Sequence, residues 1–157
     1  MQTMIRKTIL CIALATCLFV FPGCIYEVPI TSKPTGGMDS RLLGNWVSPD
    51  AKFKLKVVKL NDENYIVVNT DGKLYQAWRS DVEGMAFLTV LHLETETPEY
   101  SYWNWQLSDD GSLILRLIND KIVPKNTLDS ASVRELLSDH LQNSALFGDA
   151  ILMTKVE

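Results

Sequence analysis

Tyr65-Ile66-Val67-Val68-Asn69-Thr70-Asp71-Gly72-Lys73-Leu74-Tyr75-Gln76-Ala77-Trp78-Arg79 consists of two β-rich runs that meet at an Asp-Gly step. Branched and aromatic side chains suit a pleated, half-buried surface. An Asp-Gly pair accepts positive φ at both positions, so Asp71-Gly72 predicts a two-residue type I′ hairpin turn. Upstream, Phe53, Leu55 and Val57 alternate with Lys52, Lys54 and Lys56. Period two with one wet face predicts a half-buried strand over Lys52 to Leu60. Val57-Val58 shifts the phase and predicts a bulge. Asn61 to Glu63 reads as a turn. Downstream come a turn at Glu83-Gly84 and a long apolar strand from Met85 to Glu94. A polar loop around Pro98 and an aromatic strand from Tyr100 to Leu107 follow. A turn at Asp109-Asp110-Gly111 leads to a strand from Leu113 to Ile118. Strands at roughly ten-residue spacing with short turns predict an antiparallel meander.

The tail changes period. Val133, Leu136, Leu137, His140 and Leu141 form one helical stripe. Ser132 with Glu135 three residues later predicts a capping box at its start. Gly148 ends the pattern, and Ala150 to Val156 reads as a closing strand. The folded part opens at Arg41, with a short helical turn at Leu42-Leu43 and a strand beginning at Trp46. Gly44-x-Trp46 resembles the Gly-x-Trp signature of the first strand in lipocalins, which share this order of meander, helix and last strand. The resemblance implies that Trp46 plugs the closed base of a barrel, with an Arg from near the barrel's end across it. The last strand here carries Lys155 but no Arg. The expected fold is therefore mainly β: a small antiparallel meander closing as a lipocalin-like barrel over residues 41–157, with one late α-helix and a final strand.

The amino terminus points to export. Arg6 and Lys7 precede an uncharged apolar run from Thr8 to Phe21. At about fourteen residues it is shorter than the roughly twenty a membrane-crossing helix needs. Charge, length and the following Gly23 fit a secretory signal. Gly23-Cys24 resembles the lipobox of bacterial lipoproteins. The resemblance implies that residues 1–23 are removed and Cys24 is acylated on sulfur and amine. Ile25, which is not Asp, then implies sorting to the outer membrane, facing the periplasm. Cys11 and Cys17 leave with the signal, so Cys24 alone remains and the mature domain has no internal disulfide and no Cys metal site. Residues 24–40, with Pro29, Pro34 and Gly36-Gly37, read as the lipidated Cys and a flexible tether. Tyr75, Gly84-x-x-Phe87-Leu88, Leu113-x-Leu115 and Leu146-Phe147 also resemble small bacterial lipoproteins of unknown function. That likeness implies fold and location and supplies no activity.

The chain has 15 basic and 19 acidic residues. Loss of Arg6 and Lys7 leaves 13 against 19, a charge of −6, which argues against nucleic acid as a partner. The most unusual local composition is Tyr100, Tyr102, Trp103 and Trp105. Alternation puts Trp103 and Trp105 with Leu107 on one face, and Tyr100 and Tyr102 with Asn104 on the other. One face should be core, and the other a candidate surface for a ligand or a partner. Trp46, Trp78, Phe87 and Tyr65 add enough aromatic area to line an apolar pocket. His92 and His140 lack the spacing of metal ligands and read as ordinary packed or surface residues. Glu94, Glu96 and Glu99 read as a solvated loop, and Lys52, Lys54, Lys56 and Lys59 as a wet face that discourages edge pairing. No Gly-x-Ser-x-Gly elbow and no phosphate loop occurs. No catalytic residue, metal or cofactor is assigned, and the chain is not read as an enzyme. The expected role is a membrane-anchored envelope module that binds an apolar small molecule or lipid in its barrel. The alternative is an assembly accessory that presents a surface to another envelope protein.

Overall fold

The structure is a computed structural model that describes residues 25–157. The export segment and Cys24 lie outside the described residues. Eight antiparallel strands follow one another in chain order: β1 (Gly44–Val47), β2 (Lys54–Lys59), β3 (Asn64–Asn69), β4 (Leu74–Val82), β5 (Met85–His92), β6 (Glu99–Leu107), β7 (Leu113–Leu117) and β8 (Ile151–Val156). Each pairs with the next, and β8 returns to β1 through Trp46 opposite Lys155, so the sheet closes into a barrel. Closure leaves no full-length edge open to a second chain. The meander, barrel, late helix and final strand of the sequence reading are all present.

The register settles which side chains face inward. Tyr65 lies opposite Ala77, Ala77 opposite Val90, Leu88 opposite Trp103 and Trp105 opposite Leu115. With Trp46, Val57, Leu113 and Met153 these form the interior core. The alternate residues, Val82, Phe87 and Tyr102, point outward and belong to a second core with Tyr26, Ile30, Val133 and Leu137. The protein therefore has one core inside the barrel and one on its outer wall. The helix α1 (Ser130–His140) covers that wall through the predicted stripe.

Local details differ from the sequence reading. The Asp71-Gly72 turn is not type I′. Only Gly72 has positive φ, at 78°, and its N–H bonds the Asn69 carbonyl at 3.0 Å while Asn69 N–H reaches Lys73 O at 3.1 Å. That is a three-residue loop with Gly in the left-handed position. Asn69 selects it, because its Oδ1 accepts from the N–H groups of both Asp71 and Lys73 at 3.0 Å. The two-residue turn with positive φ at both positions is at Glu83 (49°) and Gly84 (81°), between the directly paired Val82 and Met85. No bulge interrupts β2, since Val57 and Val58 pair in unbroken register with Val67 and Ile66. The cap of α1 is Asp129, not Ser132: its carboxylate accepts from Ser132 N–H at 2.8 Å and Ser132 Oγ at 3.0 Å. Asp129→Ala is expected to lower the midpoint of chemical denaturation, as for other lost caps, and Ser132→Ala much less.

The largest difference concerns the tether. Residues 25–37 are not free. Tyr26 and Ile30 are fully buried on the outer wall, and Tyr26 forms an isolated bridge with Tyr100, with N–H to O distances of 2.8 Å both ways. β7 ends opposite Trp103, so β6 has an unpaired edge beyond it, and Tyr26 fills that edge. The Tyr26 ring stacks on Tyr102 at 3.9 Å, and its hydroxyl donates to Val123 O at 3.0 Å. Tyr102 OH donates to Val28 O, and Trp78 Nε1 to Thr31 O at 3.1 Å. Thr31, Ser80 and Thr89 join in a buried hydroxyl chain with links of 2.6 and 2.8 Å. The physical reason is that the barrel's outer wall carries Phe87, Tyr102 and Trp78, which need a cover.

Candidate functional site: the barrel base and mouth

The strand directions give the barrel two ends. The turns at 60–63, 83–84 and 108–112 lie at one end, together with the start of β1. The loops at 48–53, 70–73 and 93–98 and the long β7–β8 connection lie at the other. We call these the base and the mouth.

The base is sealed. A 3-10 turn at Ser40–Leu42 crosses it and buries Leu42. Trp46 is 2% exposed, and its Nε1 donates to Leu42 O at 2.8 Å. Lys155 Nζ sits 5.3 Å from the Trp46 ring centroid and donates to Arg41 O at 3.1 Å. A cation over an indole face is attracted by the ring quadrupole. Gly44 makes room for that lysine: a Cβ there would stand 2.6 Å from Lys155 Cε. Gly44 and Trp46 therefore lie at the base, with the Lys155 ammonium against the indole. Tyr65 OH accepts from Asp39 N–H at 2.6 Å, and the Arg41 guanidinium holds the Asp39 carboxyl below its ordinary range.

The mouth is lined by Leu55, Val67, Val90 and Trp103, which face inward and are only partly buried, as are Leu88, Trp105 and Leu107 nearer the base. Above them runs a polar rung. Tyr75 lies opposite His92, and His92 opposite Glu99, all inward. The Tyr75 and His92 rings meet edge to face at 4.8 Å, Asn69 Nδ2 donates to Tyr75 OH at 3.2 Å, and His92 Nδ1 lies 4.0 Å from Glu99 Oε2. Lower down, Trp103 Nε1 donates to Ser101 Oγ at 3.0 Å, while Trp105 Nε1 is buried without an acceptor. The arrangement is an apolar lining under a hydrogen-bonding rim, which suits an amphiphile entering tail first.

Burial pushes the His92 pKa below its ordinary 6.5, the Glu99 carboxylate partly opposes this, and Lys73 adds to the lowering. Burial therefore favours the neutral imidazole in the folded state. The sign follows: the unfolded chain takes up the proton first, so this contribution is present above pH 6.5 and is lost as pH falls through the lowered folded value. His92→Gln is expected to flatten the fall in urea midpoint between about pH 7.5 and about pH 5.5.

The four aromatics of β6 divide as alternation predicted, but neither face is an exposed platform. Trp103 and Trp105 line the barrel. Tyr102 is fully buried under Tyr26, and Tyr100 meets Trp78 edge to face at 6.3 Å. Burial pushes the Tyr102 hydroxyl far up, with Tyr26 and Tyr100 adding to the effect. The candidate surface of Tyr100 and Tyr102 is thus covered by the chain's own amino-terminal segment. Trp78 and Phe87 also belong to the outer wall and do not line the interior. His140 bonds Leu136 O at 2.8 Å on α1. Lys54 and Lys56 lie exposed on the outer face of β2, and Glu94 and Glu96 are solvated. Among the described residues, no group of three or more His, Cys, Asp or Glu is placed to hold a metal ion.

The sequence reading missed the rung, because Asn69, Tyr75, His92 and Glu99 come from four strands. It also missed the amino-terminal cover, although Tyr26-x-Val28-x-Ile30 alternates like the other strands. No protein-family model matches this chain, and none of the curated proteins or solved structures matches it. The likeness to lipocalins therefore rests on the strand order and the base just described.

Proposed function

We propose that this protein is a lipid-anchored bacterial envelope protein that binds an apolar small molecule or lipid through the barrel mouth. Cys24 holds it at the outer membrane, facing the periplasm. The observation that carries the binding reading is the lining of the mouth: Leu55, Val67, Val90 and Trp103 face inward there, and remain partly open to solvent beneath a polar rung. Eight strands enclose a space just wide enough for side chains or one small ligand. The rung of Asn69, Tyr75, His92 and Glu99 supplies donors and acceptors for a polar head. The anchor reading is supported by the apolar run from Thr8 to Phe21 and by Gly23-Cys24.

A second reading, the assembly accessory, has its own support. Two open depressions lie outside the barrel, one between Val82 and Arg134 of α1, the other beside Met85 and Leu141. Native mass spectrometry separates the two. The Cys24→Ser protein, exported and purified from a bacterial periplasm, is expected to carry a reproducible extra mass that organic solvent removes. A bare mass that incubation with envelope lipid extract leaves unchanged would sink the carrier reading and favour the accessory.

A further inference from the structure

The outer wall of the barrel is covered on one side only. The amino-terminal segment and α1 lie over Phe87 and Tyr102, and Trp78 Nε1 donates to Thr31 O. Beside that cover, the same wall lies open on β2 to β5. Val57, Tyr65, Ala77 and Val90 point inward, so Val58, Ile66, Gln76 and Leu91 point outward. The register sets these four in one row: Val58 opposite Ile66, Ile66 opposite Gln76, and Gln76 opposite Leu91. A second row lies one pleat nearer the mouth. There Lys56 is opposite Val68, Val68 is opposite Leu74, and Leu93 N–H bonds Leu74 O at 3.1 Å. Leu60 extends the same face of β2 toward the base.

Val58, Leu60, Leu74 and Leu93 are between 37% and 50% exposed, and they are four of the eight large apolar side chains that stand most open among the described residues. Ile66, Val68 and Leu91 between them are partly exposed. Strands about 4.8 Å apart, rising about 3.3 Å per residue, make this a face of roughly 15 by 20 Å. That is as much contiguous apolar wall as a monomer ordinarily exposes. The rim carries opposite charges on opposite sides. Lys54 and Lys56 stand on the β2 side, Glu94 and Glu96 on the β5 side, all exposed toward the mouth. Among the described residues none of these four forms an ion pair, whereas Lys52 and Lys59 pair with Asp50 at 3.3 Å and Asp62 at 2.6 Å.

We propose that this face pairs with the same face of a second copy of the chain. A two-fold axis that lies in the interface and runs along the strands reverses each row onto itself. Val58 then meets Leu91 of the second copy, and Val68 meets Leu74. Lys56 lays its stem on Leu93 of the second copy and, with Lys54, brings its ammonium to the loop of Glu94 and Glu96. The same contacts recur on the other side of the axis. An axis across the strands, through the middle of the face, would instead lay β2 on β2 and bury Lys56 on Val58. Charge therefore selects the first arrangement, in which both barrel mouths point the same way. Packed sheets sit about 10 Å apart, and two convex walls touch over a limited width. The interface falls at the small end of specific contacts, below about 1,200 Å² in total, so the dimer is a transient one.

The test is sedimentation equilibrium of the Cys24→Ser protein, exported and purified from a bacterial periplasm, so that no acyl chain drives association. The average mass should rise from one chain toward two as concentration passes through the micromolar into the millimolar range. Lys54→Glu with Lys56→Glu sets like charges across the contact at both of its symmetric ends, and so does Glu94→Lys with Glu96→Lys. Each double variant should self-associate about tenfold or more weakly than the parent. Mixed in equal amounts, the two restore opposite charges at both ends, and the mixture should regain the two-chain mass. A parent that keeps the one-chain mass at every concentration overturns the proposal. So does a mixture no more associated than its components, or a dimer that neither variant weakens, which would use another face. A monomer that floats with anionic vesicles, and no longer does so with Lys54→Glu and Lys56→Glu, would assign the face to a lipid surface and overturn the proposal as well.

Discussion

A chain cut back to begin at Met38 is expected to lose cooperative folding and to bind hydrophobic dyes. The removed segment looks dispensable in sequence, but it contributes Tyr26 and Ile30, both fully buried, to the outer-wall core. Removing it would uncover Tyr102, Phe87 and Trp78 and leave Trp78 Nε1 and the Thr31–Ser80–Thr89 hydroxyl chain short of partners. Burying one such side chain is worth about 1.5–3 kcal/mol, and an unpaired buried polar group costs about 1–3 kcal/mol. Together these rival the roughly 5–15 kcal/mol that holds a domain of this kind folded. The single substitution Tyr26→Ala separates local from global loss. It is expected to cost about 3–5 kcal/mol, as for other large aromatic truncations. Tyr26→Phe keeps the stack on Tyr102 and loses only the bond to Val123 O, about 1 kcal/mol. Urea unfolding of the three proteins checks the order. A Met38 chain as stable as the whole would show the segment to be a mere covering.

The second large effect is at the base. Trp46→Ala is expected to cost about 3–5 kcal/mol, because the indole fills the barrel floor and its N–H caps the crossing turn at Leu42. Gly44→Ala should also destabilise, for two separable reasons. Gly44 has φ of 129°, which L side chains rarely adopt, and its Cβ would collide with Lys155 Cε at 2.6 Å. Backbone strain of that kind costs on the order of 1–3 kcal/mol. The clash involves the far end of a flexible side chain, which can swing away at the cost of its place over Trp46, about 0.5–1 kcal/mol. In a double-mutant cycle, adding Lys155→Ala to Gly44→Ala should therefore cost less than Lys155→Ala alone, while the strain remains. Full recovery in the double variant would show that the clash dominates and the backbone tolerates alanine.

Much of the architecture was legible because it is written in local patterns. Period-two alternation marked the strands, and the stripe from Val133 to Leu141 marked the helix. The turn chemistry was harder to assign, since Asp71-Gly72 and Glu83-Gly84 both allow positive φ. What separated them was whether a flanking side chain, Asn69, could bridge a longer loop. Prolines and glycines between residues 29 and 37 suggested a tether, because they break regular structure. They do not prevent an extended chain from lying on a wall that needs cover. Composition reports what a segment cannot form by itself and is silent about what another element asks of it.

By itself the sequence determined the strands, their order, the late helix and the likeness to a lipocalin base at Gly44 and Trp46. These follow from neighbours in the chain, where side-chain period and turn residues act. Only the tertiary structure decided that the Tyr100 and Tyr102 face is covered by Tyr26 and that Lys155 lies over Trp46. It alone gathered Asn69, Tyr75, His92 and Glu99 into one rung at the mouth. Each of those contacts joins residues brought together by barrel closure, and closure depends on the registers of all eight strands at once.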